Sequence, residues 1–305
     1  MNISIRLRQI LLIGFLIFYP FRSISSTTVF ALNSPSGAGE SNHAIYIPLA
    51  IKQCDTLLNY EIGEGVPPED VNVVNLGICA AQFNIHRNYG GDIAPGVKHT
   101  ITAKIVATGL GNQEPGGGGA CCTALDENGA RPFFDVKHPD WEGNKISPGP
   151  WSGEINLQKI AAHEYTHAWQ YSLGCLDIHH QPLGDWLNEG IAEYVAYDAY
   201  IRQGFMAADQ VREFQLNSAE YTGELDYPLE ELEGPGSPIW SGHVGYLAVE
   251  KLITDSPLNI LSVRFVCEQI KEGVSTEQAF ESAFGINKAD FYENFPIYIE
   301  SLMNP

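Results

Sequence analysis

His163, Glu164 and His167 stand in the order His-Glu-x-x-His within residues 157–173, LQKIAAHEYTHAWQYSL. On a helix, residues four apart share a face, so the two imidazoles can reach one divalent cation while Glu164, one residue on, lies beside the open coordination position. Zinc is the expected ion. Neutral imidazole suits its borderline-soft character, and a catalytic zinc needs three protein ligands plus a water. A water on such a cation is acidified toward neutrality, and Glu164 is placed to take its proton and pass it to a leaving group. A shuffled chain of this composition would hold the motif about once in fifty tries, so the spacing alone is suggestive.

The third ligand comes from Trp186 to Tyr194, WLNEGIAEY. Glu189 would complete the triad. Glu193, one helical turn later, is positioned to accept the remaining ring N–H of a ligand histidine, and the Asn188 side-chain carbonyl offers the same service. His179 or His180 is an alternative third ligand, though a His-His pair with Gly and Pro nearby reads more simply as a solvated turn. The bland readings are two surface histidines at 163 and 167 and an exposed helix carboxylate at 193; the downstream segment disfavours the first. A histidine as third ligand six residues past His167, with glycine midway, would define the metzincin pattern. Gln170 and Leu173 stand there instead, which excludes that class.

HEYTH followed by WLNEGIAEY resembles the gluzincin metallopeptidases, the thermolysin-like and aminopeptidase-like zincins, and among them the MA-like peptidase domains. The resemblance covers roughly residues 155–300, with its specific motifs confined to the stretch ending at Tyr194. It implies His163, His167 and Glu189 as zinc ligands, Glu164 as general base, and Asn188 and Glu193 as supports of the ligand histidines. It also implies an oxyanion stabiliser from a later helix, for which Tyr246 and His243 are candidates, although a tyrosine in WSGHVGYLAVEKL is more often core packing. A substrate peptide would pair with an edge strand, by the same analogy either Thr100–Thr108 or Pro132–Val136. Twenty-one residues lie between His167 and Glu189, a longer insertion than in the best-known members.

These side chains need elements to carry them. Pro148 and Pro150 before the motif and Gly174 after it bound a helix. Upstream, Val71, Val74, Ile78, Ala81 and Ile85 recur at helical spacing after Pro67-Pro68, predicting a helix that ends before Gly90-Gly91. Residues 100–108 alternate as a strand, a shorter strand is expected at 132–136, and 109–129, with its Gly116–Gly119 run, reads as a flexible loop. Beyond Ile155 the pattern is almost wholly helical, broken at Gly174, Gly204, Gly234-Pro235-Gly236, Gly273 and Gly285. Ser256 before Pro257 and Ser275 with Gln278 read as helix starts. The expected fold is α+β and zincin-like, a small N-terminal sheet packed on a mostly helical C-terminal body.

Composition narrows the partners. The 305 residues carry 37 acids against 17 bases, a formal charge of -20, which disfavours nucleic acid. Arg6 and Arg8 precede an apolar run from Ile10 to Phe21 that is too short to span a bilayer, and Val29-Phe30-Ala31 supplies small residues for cleavage. Residues 1–31 thus read as a secretory signal, 32–44 as a linker and 45–305 as the zincin-like domain. No stable membrane span is expected after signal removal. In that compartment disulfides among Cys54, Cys79, Cys121, Cys122, Cys175 and Cys267 are allowed, with pairing left open. Vicinal Cys121 and Cys122 raise the idea of a thiolate capping the zinc, though disulfide use is the simpler account.

The function these features predict is a secreted zinc-dependent peptidase acting on a peptide or protein. The rivals are an extracellular zinc-containing binding protein without hydrolysis, which Glu164 argues against, and a zinc amidase acting on a non-peptide or cell-wall amide.

Overall fold

A short strand, β1 (Leu58–Ile62), leads through helix α1 (Pro68–Asn88) to β2 (Ile101–Val106), and the two strands pair in parallel. Next come β3 (Cys121–Asp126) and β4 (Gly129–Asp135), which pair antiparallel, with β4 parallel to β2. The result is a mixed four-stranded sheet in the order β1-β2-β4-β3. Eight of the remaining elements are helices: α2 (Pro139–Ile146), α3 (Gly153–Leu173), α4 (Asp185–Arg202), α5 (Ala208–Thr222), α6 (Gly242–Asp255), α7 (Ser262–Lys271), α8 (Thr276–Phe284) and α9 (Lys288–Met303). The computed structural model describes residues 58–90, 101–111, 120–126, 129–146, 150–176, 182–234 and 239–304, all within the compact unit Tyr46–Pro305. The fold is α+β, a small sheet early in the chain and a helical body after it, as its periodicities predict.

Local chemistry explains most boundaries. Proline at the first position and Glu69 and Asp70 in the first turn of α1 suit the positive end of a helix, and His86 and Arg87 suit its other end. Ser152 caps α3 by accepting from the Ile155 N–H, and Gly174 ends it in the left-handed region at φ 86°. Ser275 caps α8 through the Gln278 N–H as its spacing predicts. Ser256 behaves differently from expectation. It closes α6, and its hydroxyl donates to the Ala283 carbonyl and accepts from the Leu258 N–H, so the following segment turns as a short 3₁₀ helix, Asn259–Leu261, before α7.

The loop expected over 109–129 contains β3, so the sheet has a strand that the glycine-rich surroundings conceal. The strands expected at 100–108 and 132–136 correspond to β2 and β4, and both lie inside the sheet rather than at its edge. The expected signal (1–31), the linker, Cys54, Gly116–Gly119 and His179-His180 lie outside the described residues. No helix among the described residues is long and apolar enough to cross a membrane.

Helix α3 is the hub. It packs on α1, α4, β4 and β3, and almost every side of it is covered. Two crossings are so close that only glycine fits. A Cβ on Gly77 of α1 would sit 2.1 Å from the Gln158 carbonyl oxygen of α3, and one on Gly190 of α4 would sit 2.3 Å from that of Gly245 in α6. Because Gly190 follows Glu189 directly, the α4–α6 contact sets where that carboxylate stands. Gly190→Ala is expected to lower stability by about 1–3 kcal/mol or more through overpacking and to weaken metal binding as well; urea denaturation and metal titration read the two effects, and wild-type values in both would refute the bracing. A disulfide between Cys175 and Cys267 ties the end of α3 to α7, with Cα atoms 4.9 Å apart, and Cys79 is also disulfide-bonded.

Candidate metal centre

His163 and His167 project from one face of α3 toward Glu189 on α4. Their Nε2 atoms are 3.0 Å apart, and Glu189 reaches them at 3.4 Å (Oε2 to His163) and 3.5 Å (Oε1 to His167). One donor atom from each residue falls within 4.8 Å of the others, a group able to hold a metal ion. His179 and His180 lie outside the described residues.

The hydrogen bonds around His167 fix which nitrogen carries its proton. Gln170, one turn along α3, donates from Nε2 to the Asn188 carbonyl of α4 at 2.9 Å, so its Oε1 must face His167 Nδ1, 2.8 Å away. An amide oxygen can only accept, so Nδ1 carries the hydrogen and Nε2 presents a lone pair. On His163, Nδ1 faces Glu193 Oε2 at 3.7 Å, beyond hydrogen-bond length, and the carboxylate beside it favours the proton on that nitrogen. Two lone pairs meeting at 3.0 Å repel, and either a proton on one ring or a shared cation resolves the conflict. Neutral imidazole nitrogens with one carboxylate are the donor set that suits zinc, so the residues fit that ion. Among the protein groups alone, burial opposes charge on His163, but Glu189 and Glu193 outweigh it and lift its pKa to about 10. Burial likewise works against the Glu189 carboxylate, while His167 and His163 hold its pKa well below the usual value.

Glu193 stands next to His163, but its firmest partner is a residue the motif does not announce. Lys159, one turn before His163, donates to both carboxylate oxygens at 3.1 and 3.0 Å, and its ammonium sits 4.9 Å over the Tyr197 ring. Burial penalises the Glu193 carboxylate, yet Lys159 and His163 bring its pKa down to about 2. Burial also works against the Lys159 charge, and Glu193 and Tyr197 overcome that and raise its pKa. Asn188 supports His167 through its backbone carbonyl via Gln170. Its side-chain oxygen and nitrogen, buried with the residue only 2 % exposed, have no partner among the described residues.

The group opens into a cavity of about 860 Å³, whose wall includes Glu164, Asp185, Trp240 and His243. No protein-family model, curated protein or solved structure matches the chain. Glu164 meets β3: the Thr123 hydroxyl lies 2.8 Å from its backbone oxygen and 2.9 Å from its carboxylate Oε2, so one hydroxyl proton serves either. Cys121 and Cys122 also border the cavity and neither closes a disulfide. Burial pushes the Cys121 thiol pKa up, and the Glu164 charge adds to the shift. Trp240 donates from Nε1 to Glu189 Oε2 at 3.1 Å and steadies it.

The two oxyanion candidates part company. His243 borders the cavity, its Nδ1 2.6 Å from Gln215 Oε1, and burial lowers its pKa to about 4. Tyr246 is only 1 % exposed, packs against Tyr194 and Tyr197, and is not part of the wall; apolar periodicity in α6 turns it into the core. The edge strands are β1 and β3, and β3 is the one that borders the cavity. Its Ala120 carbonyl accepts from the Asp135 N–H at 2.7 Å, so by antiparallel alternation the backbone groups of Cys121 and Thr123 point away from β4, along the outer edge beside Glu164.

Of the unforeseen residues, Gln170 lies three positions from His167 and Lys159 four from His163, where a helix puts side chains together. Trp240 and Thr123 come from distant segments, and no spacing rule finds them.

Proposed function

We propose that the chain is a zinc-dependent peptidase with a zincin-like catalytic domain, exported by its N-terminal signal and acting on peptide or protein substrates. The observation that carries this reading is the meeting of His163 Nε2, His167 Nε2 and the Glu189 carboxylate on a cavity wall that also holds Glu164. A structural metal site needs ligands but neither a neighbouring base nor a cavity.

Zinc bound there supplies Lewis acidity, which sharpens water as a nucleophile and polarises a carbonyl. Glu164 takes the proton of the attacking water and delivers it to the departing amine, with Thr123 holding its carboxylate in place. His167 is kept in the ligating tautomer by Gln170, and His163 is oriented by the Glu193 charge that Lys159 anchors. His243, neutral near pH 7, is the cavity-wall candidate for a developing oxyanion; Gln215 Oε1 faces its Nδ1 at 2.6 Å, so donation from Nε2 requires that amide to flip first. The free backbone groups of Cys121 and Thr123 lay an extended peptide along β3.

Metal analysis of the purified chain is expected to find about one zinc per molecule, lost in His163→Ala, and digestion of a mixed peptide library is expected to yield cleavage. Zinc without cleavage of any peptide would favour the binding-protein reading, and hydrolysis confined to non-peptide amides would favour the amidase.

A further inference from the structure

We propose that Asp185 and Asn188 form a subsite for a cationic group of the substrate, an ammonium or guanidinium placed next to the scissile bond. The inference rests on the peptidase reading and specifies what that site prefers.

Asp185, Asn188 and Glu189 share one stripe of α4, since residues three and four apart on a helix have Cβ atoms about 5–6 Å apart. All three border the cavity. Asp185 opens α4, where a helix favours a carboxylate, yet no hydrogen bond or ion pair engages that carboxylate among the described residues. Burial raises its pKa to about 6, and the neighbouring Glu189 adds to the shift. Lys159, the one lysine on the wall, is committed to Glu193 by two hydrogen bonds and leaves Asp185 unanswered. The second and independent sign is Asn188. Its amide is buried with neither atom satisfied, and such a group costs free energy until something supplies the missing bonds. The Asp185 carboxylate and the Asn188 Oδ1 are both acceptors, and an alkylammonium or guanidinium brings only donors, while the Asn188 Nδ2 donor is left for a carbonyl oxygen of the same peptide. A neutral substrate group would leave the Asp185 charge uncompensated.

One turn of helix from Glu189, the subsite lies within reach of either the free α-amino group of a peptide or a lysine or arginine side chain flanking the cut bond. The test separates these sources and does not depend on cleavage. Zinc-loaded Glu164→Gln protein is titrated, by fluorescence anisotropy, with labelled peptides differing only in one residue (Lys, Arg, norleucine) and in an acetylated or free N-terminus. Binding is expected to be about tenfold or more tighter for the cationic members, as a charged hydrogen bond implies. Adding Asp185→Asn should abolish that preference while leaving neutral peptides unchanged, and Asp185→Glu should keep it. A preference tied to the free terminus identifies the α-amine, and one that survives acetylation identifies the side chain. Equal binding of cationic and neutral peptides, or a preference that persists in Asp185→Asn, overturns the subsite. Failure of the wild-type protein to cleave any peptide would instead count against the peptidase reading and leaves the anisotropy result to judge the subsite.

Discussion

Glu164→Gln is expected to keep about one zinc per chain and to lose about 10²–10⁴-fold in kcat, the range for removing a general base. Glutamine has the size of glutamate and an oxygen that can still accept from the Thr123 hydroxyl, now 2.9 Å from Oε2. It cannot take a proton. The proposed ligands His163, His167 and Glu189 are untouched, so the metal content separates loss of chemistry from loss of the site. KM should change little, because Glu164 acts on the attacking water and not on the resting substrate. Wild-type kcat in this variant would remove Glu164 from the mechanism, and loss of zinc with loss of activity would make its role structural.

Lys159→Met carries the largest expected cost to stability, about 3–5 kcal/mol by urea denaturation at neutral pH, because it leaves Glu193 buried and unpaired. Both members of this pair are almost fully buried, with side-chain exposures of 10 % and 2 %. The pH dependence has a definite sign. The folded pKa of Glu193 is depressed to about 2, below its ordinary 4.5, so the stability it contributes is fully present above the ordinary value. That contribution drains away as pH falls from 4.5 toward 2. In Lys159→Met the depression loses its main source, so the acid-side decline should shrink and the penalty should be smallest at low pH, where Glu193 can be neutral. Adding Glu193→Gln should recover much of the lost stability by discharging the buried carboxylate. A single variant as stable as wild type at pH 7, or a double variant no better than the single, would show that the pair is not what holds these helices.

The candidate metal group was readable because it depends on local spacing. His163, Glu164 and His167 share a helix turn, and Glu189 and Glu193 follow within a second helix whose apolar pattern is plain. The helical body was readable for the same reason, since Gly174, Ser275 and Gly285 are punctuation with a physical cause. What escaped depends on pairing across distance. Strand β3 is six residues in a glycine-rich setting and owes its existence to β4, so no period of its own reveals it. Trp240 reaches Glu189 from 51 positions away. Tyr246 shows the converse error: α6 has two sides, and periodicity alone did not say that the Tyr246 side faces Tyr194 and Tyr197 while His243 faces the cavity. Ser256 misled because a serine before proline starts a helix or closes one, depending on what its hydroxyl meets.

The chain from His167 through Gln170 to the Asn188 carbonyl joins the helices that carry His167 and Glu189 by atoms that also choose a tautomer. Prising α3 from α4 would free the Gln170 amide to rotate, erase the preference for hydrogen on Nδ1, and carry Glu189 off in the same movement. The centre should therefore assemble in an all-or-none manner, with cation uptake and interhelical docking appearing as one cooperative transition and no half-built state of two ligands accumulating between them.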